Sequence, residues 1–243
     1  MADRSERGRS LFREAAHARA LITILLAECE LELMPPELAR QPRVIARGRK
    51  RRRPPQQLLL DQAVDHEAMR GLEGADRRGR PDIAHFLALL AQDSLLQKRG
   101  ALRLLFHTRN DELVRVRADT RLPRSQAKFY QLVEDLFRQG RVPLDDPLLT
   151  VEPKRALVDV LAAEGRGVKV LLDESGEIAR GPDFTALARE NEDATIVIGG
   201  FPRGGYRSAP RDAFDLVLRV ADEPLSAWSA FVPVLAGLED AFL

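Results

Sequence analysis

The chain has 243 residues, 44% hydrophobic and 31% charged, enough for one large folded domain and too apolar for a disordered or fibrous class. Its 38 Lys and Arg against 37 Asp and Glu give a net charge of +1, and a single cysteine excludes an internal disulfide or a multi-cysteine zinc site. The neutral total hides a division: residues 1–144 carry 28 basic and 19 acidic side chains, a net of +9, and residues 145–243 carry 10 and 18, a net of −8. A basic half of this kind can present a concentrated positive face.

Residues 1–19 are polar and Arg-rich and read as an N-terminal extension. The longest apolar run, Ala20–Ala27, is interrupted only by Thr23 and is far shorter than the roughly 20 residues of a membrane span. Glu28, Glu30 and Glu32 follow where a signal-peptide cleavage site would need small residues. The run therefore reads as a strand buried on both faces, in a cytoplasmic protein with no membrane partner, and Cys29 as a buried, inert thiol. Pro35–Pro36 opens a short helical turn. Arg40–Arg53 holds eight basic residues and no acid before Pro54–Pro55, and reads either as a solvated loop or as a phosphate-backbone contact.

Pro81–Leu96 is predicted as a helix, Ala101–His107 and Glu112–Val116 as strands, and Ser125–Arg138 as a helix ended by Gly140. In the acidic half the expectation is helix Lys154–Ala163, strand Gly167–Leu172, helix Asp183–Arg189, strand Ala194–Ile198, a strand within Ala213–Val220, and a long helix Pro224–Leu243 kinked at Pro233. Alternation of this kind implies a largely parallel sheet with ligands beyond the carboxyl ends of its strands. The loops after Leu172, Ile198 and Val220 are the ones to inspect.

Three segments could carry chemistry. Gly199–Gly205 follows a strand, but it matches no nucleotide fingerprint and reads equally as a turn or a ligand loop. In Arg77–Asp82, three arginines precede a helix, and Asp82 across the rigid Pro81 could hold the Arg80 guanidinium in one orientation. The bland reading is an internal ion pair; the sharper one is an arginine positioned for phosphate. Arg121, Arg124 and Lys128 lie around the start of the next helix, with Arg124 and Lys128 four apart on one face. Two proline-punctuated arginine clusters beside the basic run look like an RNA-binding surface. His107 has no orienting carboxylate that the sequence alone identifies, four histidines make a zinc site improbable, and there is no GxSxG elbow.

These segments, taken in order, resemble a known family. They are Leu31–Leu33 with Pro35, Leu58–Asp61, Arg78–Ile83 with His85, Asp93–Ser94, His107–Asp111, Thr120–Arg124, Ile198–Pro202 with Gly204, and Glu223–Leu225 with Ala227–Trp228. The set is similar to the SPOUT-superfamily ribosome-biogenesis methyltransferases, which modify N1 of a pseudouridine in small-subunit rRNA. The resemblance runs from about Leu21 to the C-terminus. It implies an α/β fold with a largely parallel sheet, helices on both faces, a C-terminal deep trefoil knot and a small family-specific extension. One domain would span residues 20–243, with RNA-binding insertions around 40–80 and 108–128. It further implies a homodimer, S-adenosyl-L-methionine as donor with no metal, and an rRNA hairpin containing pseudouridine as partner. Cofactor contacts would come from Leu172, Gly199, Gly200 and Gly204, and from a wall of Leu218, Arg219, Val220, Ala221, Asp222, Glu223 and Leu225. RNA contacts would come from Arg78, Arg80, Arg121, Arg124 and Lys128. Asp82 would be the catalytic-site carboxylate, orienting Arg80 or accepting a proton. Arg203 stands where the family often has His or Tyr, and Lys128 where it usually has Arg, which keeps the charge but loses the planar fork. The competing class is an rRNA-binding assembly factor with a vestigial cofactor site.

Overall fold

Two cores sandwich the first strand, and that explains its composition. In β1 (Leu21–Cys29), Ile22, Ile24 and Leu26 join one apolar cluster while Leu25 and Ala27 join another on the opposite face. A strand covered on both sides has no polar face to alternate with. The computed structural model describes residues 21–243, so the polar extension expected at 1–19 lies outside the described residues.

The remaining strands are β2 (Leu102–Thr108), β3 (Leu113–Val116), β4 (Arg141–Val142), β5 (Leu149–Glu152), β6 (Val168–Ile178), β7 (Asp193–Gly199) and β8 (Leu216–Arg219). They form one sheet in the order β4-β5-β3-β2-β1-β7-β6-β8. Neighbours from β2 to β8 pair in parallel, whereas β3, β4 and β5 add an antiparallel edge. The short β4 and β5 were not expected. Two residues and four residues of mixed polarity carry too little periodicity to declare a strand.

The helices are α1 (Pro36–Ala39), α2 (Pro42–Arg51), α3 (Gln62–Asp65), α4 (Pro81–Asp93), α5 (Leu95–Lys98), α6 (Gln126–Gln139), α7 (Leu157–Glu164), α8 (Gly181–Glu190) and α9 (Ala227–Asp240). Ile83 and Leu87 of α4, Phe129 of α6, Phe184 of α8 and Phe231 of α9 cover one face of the sheet. Leu157, Val160 and Leu161 of α7, with Phe214, cover the other. A third small cluster of Met34, Leu38, Val44, Leu60, Ala68 and Met69 gives the 34–69 segment a core of its own.

Several boundaries moved for local reasons. The predicted Pro81–Leu96 helix breaks at Ser94, whose hydroxyl accepts the Gln97 N–H at 3.3 Å and starts α5. The helix expected from Lys154 begins at Leu157, because Lys154 has φ 57°. The final helix begins at Ala227, leaving Pro224, Leu225 and Ser226 free to line a cavity, and it carries Pro233 within it. The basic run is mainly a helix, not a loop: α2 opens on Pro42 and ends at Arg52 in the left-handed region.

Candidate active site and RNA interface

The parallel strands end on the same side, and their final residues meet there. A cavity of about 480 Å³ opens beyond β6, β7 and β8. That volume is in the range that holds a drug-sized molecule. The loops after Leu172, Ile198 and Val220 all reach it: Leu172 with Asp173–Ser175, Ile198 with the glycine loop, and Leu218–Leu225. The first is shaped by a break in strand pairing. Leu218 pairs with Leu172 and again with Glu177, so the residues between are pushed out as a bulge. Gly176 is required at that bulge, since a Cβ there would lie 2.5 Å from the Val217 carbonyl oxygen.

Gly199 and Gly204 line the cavity and Gly204 takes φ 75°, which favours glycine. A Cβ on Gly199 would lie 2.6 Å from the Phe201 ring. Gly200 has a different task. Its N–H donates to Ala27 at 2.8 Å, and a Cβ on it would meet the Cys29 sulfur at 2.5 Å, so it seals the loop onto β1 and does not line the cavity. Leu172, Leu218, Arg219, Val220, Ala221, Asp222, Glu223 and Leu225 are at the cavity wall. Arg219 is pinned there, pairing with Asp222 at 2.7 Å and donating to the Gly176 carbonyl at 3.1 Å.

Phe201, Tyr206 and Trp228 also line the cavity and were not singled out as ligands from sequence. Phe201 and Tyr206 meet edge to face at 5.2 Å, and the Tyr206 hydroxyl donates to the Leu172 carbonyl at 3.0 Å, tying two loops together. The available signal was two aromatics embedded among glycines, where ring packing is the remaining way to stiffen a loop. Burial pushes the Tyr206 phenol well up, aided by Asp173 and Glu28, so it is a donor and not a base.

Arg80 borders the same cavity. Its Nε and Nη2 donate to the two oxygens of Asp82 at 2.9 and 2.8 Å, the fork that the Arg–Pro–Asp spacing suggested. The hydrogen bonds to Asp82 hold the guanidinium firmly charged against partial burial. Arg78 is committed elsewhere: it forks onto buried Glu32 at 2.9 and 2.7 Å, so it is placed as a brace for the segment.

The second arginine segment is fastened to α4. His85 Nε2 meets the Pro123 carbonyl at 2.8 Å, and its ring stacks on Phe129 at 4.4 Å. Gln92 donates to the Thr120 carbonyl at 3.0 Å and accepts the Leu122 N–H at 2.9 Å. Arg124 pairs with Asp93 at 2.9 Å yet stays 80% exposed, and Arg121 and Lys128 are exposed. α4 therefore carries Arg80 at its start and anchors the 120–124 loop along its length. The eight basic residues of Arg40–Arg53, five of them in α2, divide in two. Arg43, Arg47, Arg51 and Arg53 pair with Glu67, Asp65 and Glu134, whereas Arg40, Arg49, Lys50 and Arg52 are exposed.

Between the two regions lies a charge cluster at the end of β1. Glu28, Glu30 and Glu32 are all buried. Arg77 binds Glu28 at 2.7 Å and Glu30 at 2.9 Å, and Arg109 binds Glu30 at 2.5 Å. Glu28 also accepts the Arg207 and Ser208 N–H groups at 2.9 and 2.8 Å. Burial pushes its carboxyl up, but those hydrogen bonds and Arg77 outweigh it and hold it below the ordinary range. The signal available in the sequence was three acids at alternate positions directly after a buried strand. His107, buried beside this cluster, does have a carboxylate neighbour, with Nε2 3.2 Å from Asp111. No group of three or more metal-ligating side chains occurs among the described residues.

The fold and site define a class: an α/β protein with a ligand cavity beyond the carboxyl ends of parallel strands, beside an exposed cationic surface. A family model described as EMG1/NEP1 methyltransferase matches residues 24–239. The chain is 35% identical over 223 residues to the Ribosomal RNA small subunit methyltransferase Nep1 of Methanothrix thermoacetophila, covering 92% of this chain and 97% of that one. It is 38% identical over 219 residues to the Nep1 of Pyrobaculum calidifontis, covering 90% and 97%. The crystal structure of Archaeoglobus fulgidus Nep1 bound to S-adenosylhomocysteine superposes with a TM-score of 0.78 at 29% identity, over 90% of this chain and 98% of that chain. The chain belongs to the EMG1/NEP1 methyltransferase family.

Proposed function

We propose that this protein transfers a methyl group from S-adenosyl-L-methionine to N1 of a pseudouridine in small-subunit rRNA, in the course of ribosome biogenesis. The observation that carries this is a single cavity bordered by the glycine loop, the 218–225 wall and Arg80. Donor and nucleic acid would meet there. The cavity fits such a donor: it has glycine-lined backbone at Gly199 and Gly204, apolar walls from Leu172, Leu218 and Leu225, and acidic Asp173 and Glu223 near its rim. When bound, the donor supplies an electrophilic methyl on a cationic sulfur.

The chain's own residues supply position. Arg80 is held by Asp82 in one orientation, with its Nη1 outside that pair, to take a phosphate near the target. Arg121, Arg124 and Lys128 extend the grip, so that a base unstacked from the RNA is held at the cavity mouth. Much of the rate then comes from proximity. Both Asp82 oxygens are taken by Arg80, which favours its orienting role over proton acceptance.

The same reading includes a deep trefoil knot in the C-terminal part, cytoplasmic location and a homodimer. The dimer face is suggested by apolar side chains left in solvent: Phe86 is 49% exposed and Val232 50%, with Trp228 edge-on to Phe86 at 5.7 Å. Methyl transfer to a small-subunit rRNA hairpin, compared with uridine and with pseudouridine at the target, tests the function. Transfer to the pseudouridine hairpin alone is expected. Equal transfer to both hairpins overturns the N1 assignment. Failure of S-adenosylmethionine to bind in calorimetry would instead support a non-catalytic assembly factor.

A further inference from the structure

Arg77 joins the two halves of the site. Its guanidinium spends every edge on a different neighbour. Nε donates to Glu30, just past β1, at 2.9 Å and Nη2 to Glu28, near the end of β1, at 2.7 Å. Nη1 donates to the Gly205 carbonyl at 2.6 Å, and the guanidinium carbon lies 3.7 Å from the Phe201 ring centre, both in the glycine loop. Cation and ring in that arrangement attract through the ring's negative face. No lysine could make all four contacts, since only a planar fork presents separate edges and a flat face.

The other side of the link is short. Arg77 stands three residues before Arg80, and the chain between them is stiff. Arg78 is forked onto Glu32, and Gly79 takes φ 66° with its Cα packed so that an added Cβ would lie 3.0 Å from the Gln62 nitrogen. The Gly79 carbonyl also accepts the Gln62 N–H at 2.8 Å. The glycine loop and Arg80 are therefore joined by one side chain and two braced residues. The anchor on β1 is itself unusual. Glu28 is fully buried and takes φ 49°, a strained setting for a non-glycine residue that tends to be kept at functional sites.

We propose that Arg77 is a positioning residue that couples the two ligands: ordering of the glycine loop by the donor sets Arg80 for RNA, and RNA on Arg80 tightens the donor loop. The proposal rests on the functional reading above. Because coupling between two bound ligands is reciprocal, each must raise the other's affinity by the same factor.

The test measures binding of S-adenosylhomocysteine to the protein free and saturated with a pseudouridine-containing rRNA hairpin, and binding of the hairpin with and without S-adenosylhomocysteine. In the unaltered protein both ratios should agree at about fivefold or more. In Arg77→Lys, which keeps a cation beside Glu28 and Glu30, the ratio should fall to about one, whatever happens to either affinity alone. Phe201→Leu removes the ring and no charge, and should lower the ratio in the same direction, so it carries the test if Arg77→Lys does not fold. Two bound ligands with a ratio of one in the unaltered protein would overturn the coupling while leaving the functional reading intact. A full ratio in either folded variant would overturn the role of this contact. If neither ligand binds the unaltered protein, the functional reading fails and the coupling with it.

Discussion

Adjacent glycines in the cavity loop have unlike jobs, and substitution should separate them. Gly199→Ala puts a methyl against the Phe201 ring, so the loop must reopen; donor affinity should drop in calorimetry with little change in urea stability. Gly200→Ala drives a methyl into Cys29, including its backbone at 2.9 Å, and should cost about 1–3 kcal/mol in urea unfolding, as overpacking does. At the cavity's arginine, Arg80→Ala should weaken hairpin binding and lower the slope of log affinity against log salt by about one if Arg80 holds one phosphate as proposed; an unchanged slope would overturn that contact. Asp82→Asn should weaken RNA binding as well as transfer if it orients Arg80. Normal RNA binding with transfer abolished would make Asp82 the proton acceptor instead. The residue-level signals were uneven in the sequence. The Arg80–Asp82 fork was legible because a rigid proline fixes its span, whereas the Gly200 role depended on a strand pairing 170 positions away.

The helices sort the basic residues into those that hold the fold and those that face solvent. Arg51 of α2 reaches Glu134 of α6 at 3.0 Å, and that carboxylate is nearly fully buried. Arg51→Ala should therefore lower stability by about 1–3 kcal/mol, the penalty of an under-satisfied buried group. The double change Arg49→Ala and Lys50→Ala removes two exposed charges. It should leave stability within about 0.5 kcal/mol. Hairpin binding should show a salt slope smaller by about two if α2 touches phosphate. An unchanged slope would make the exposed face of α2 a solvated surface. Composition alone could not divide the run, because the division depends on which positions of α2 face Asp65 and Glu134.

At the scale of the whole molecule, two buried histidines among the described residues lower stability in mild acid, while burial raises the carboxyls of Asp61, Asp65 and Glu112 and acts in the opposite sense. Burial pushes both His85 and His107 below the ordinary value of 6.5, and for His107 this outweighs the pull of Asp111 and Glu28. A folded pKa below the unfolded one means that the unfolded chain binds the proton more readily. The stability these groups contribute is full above about pH 6.5 and is lost as pH falls from there toward the lowered folded values. Urea midpoints should therefore decline between pH 7.5 and 5.5, and the decline should flatten in the His85→Gln, His107→Gln double variant. Glu28, held below the ordinary range, adds a loss only at lower pH still. Assembly belongs to this scale as well. Val232→Arg puts a charge on an exposed apolar position of α9. If the proposed dimer uses this face, the variant should sediment as a monomer where the unaltered protein sediments as a dimer, and an unchanged mass would overturn the use of this face.

Local chemistry was enough to determine most elements and the class of the molecule. A doubly buried strand, alternating strands and helices, punctuating prolines and clustered arginines all act within a few residues, so they can be read without knowing the fold. The +1 total likewise resolved into a basic half with the arginine segments and an acidic half whose strand ends carry most of the cavity. Only the tertiary structure decided which charges are spent and which are free. Arg78 and Arg77 look like Arg80 in sequence, yet the first is braced on Glu32 and the second bridges Glu28 to Phe201. The reason is that a guanidinium's role depends on what lies within about 3 Å of its edges. Here those partners come from β1 and from a loop more than 120 residues away, brought together only when the parallel strands end on one side.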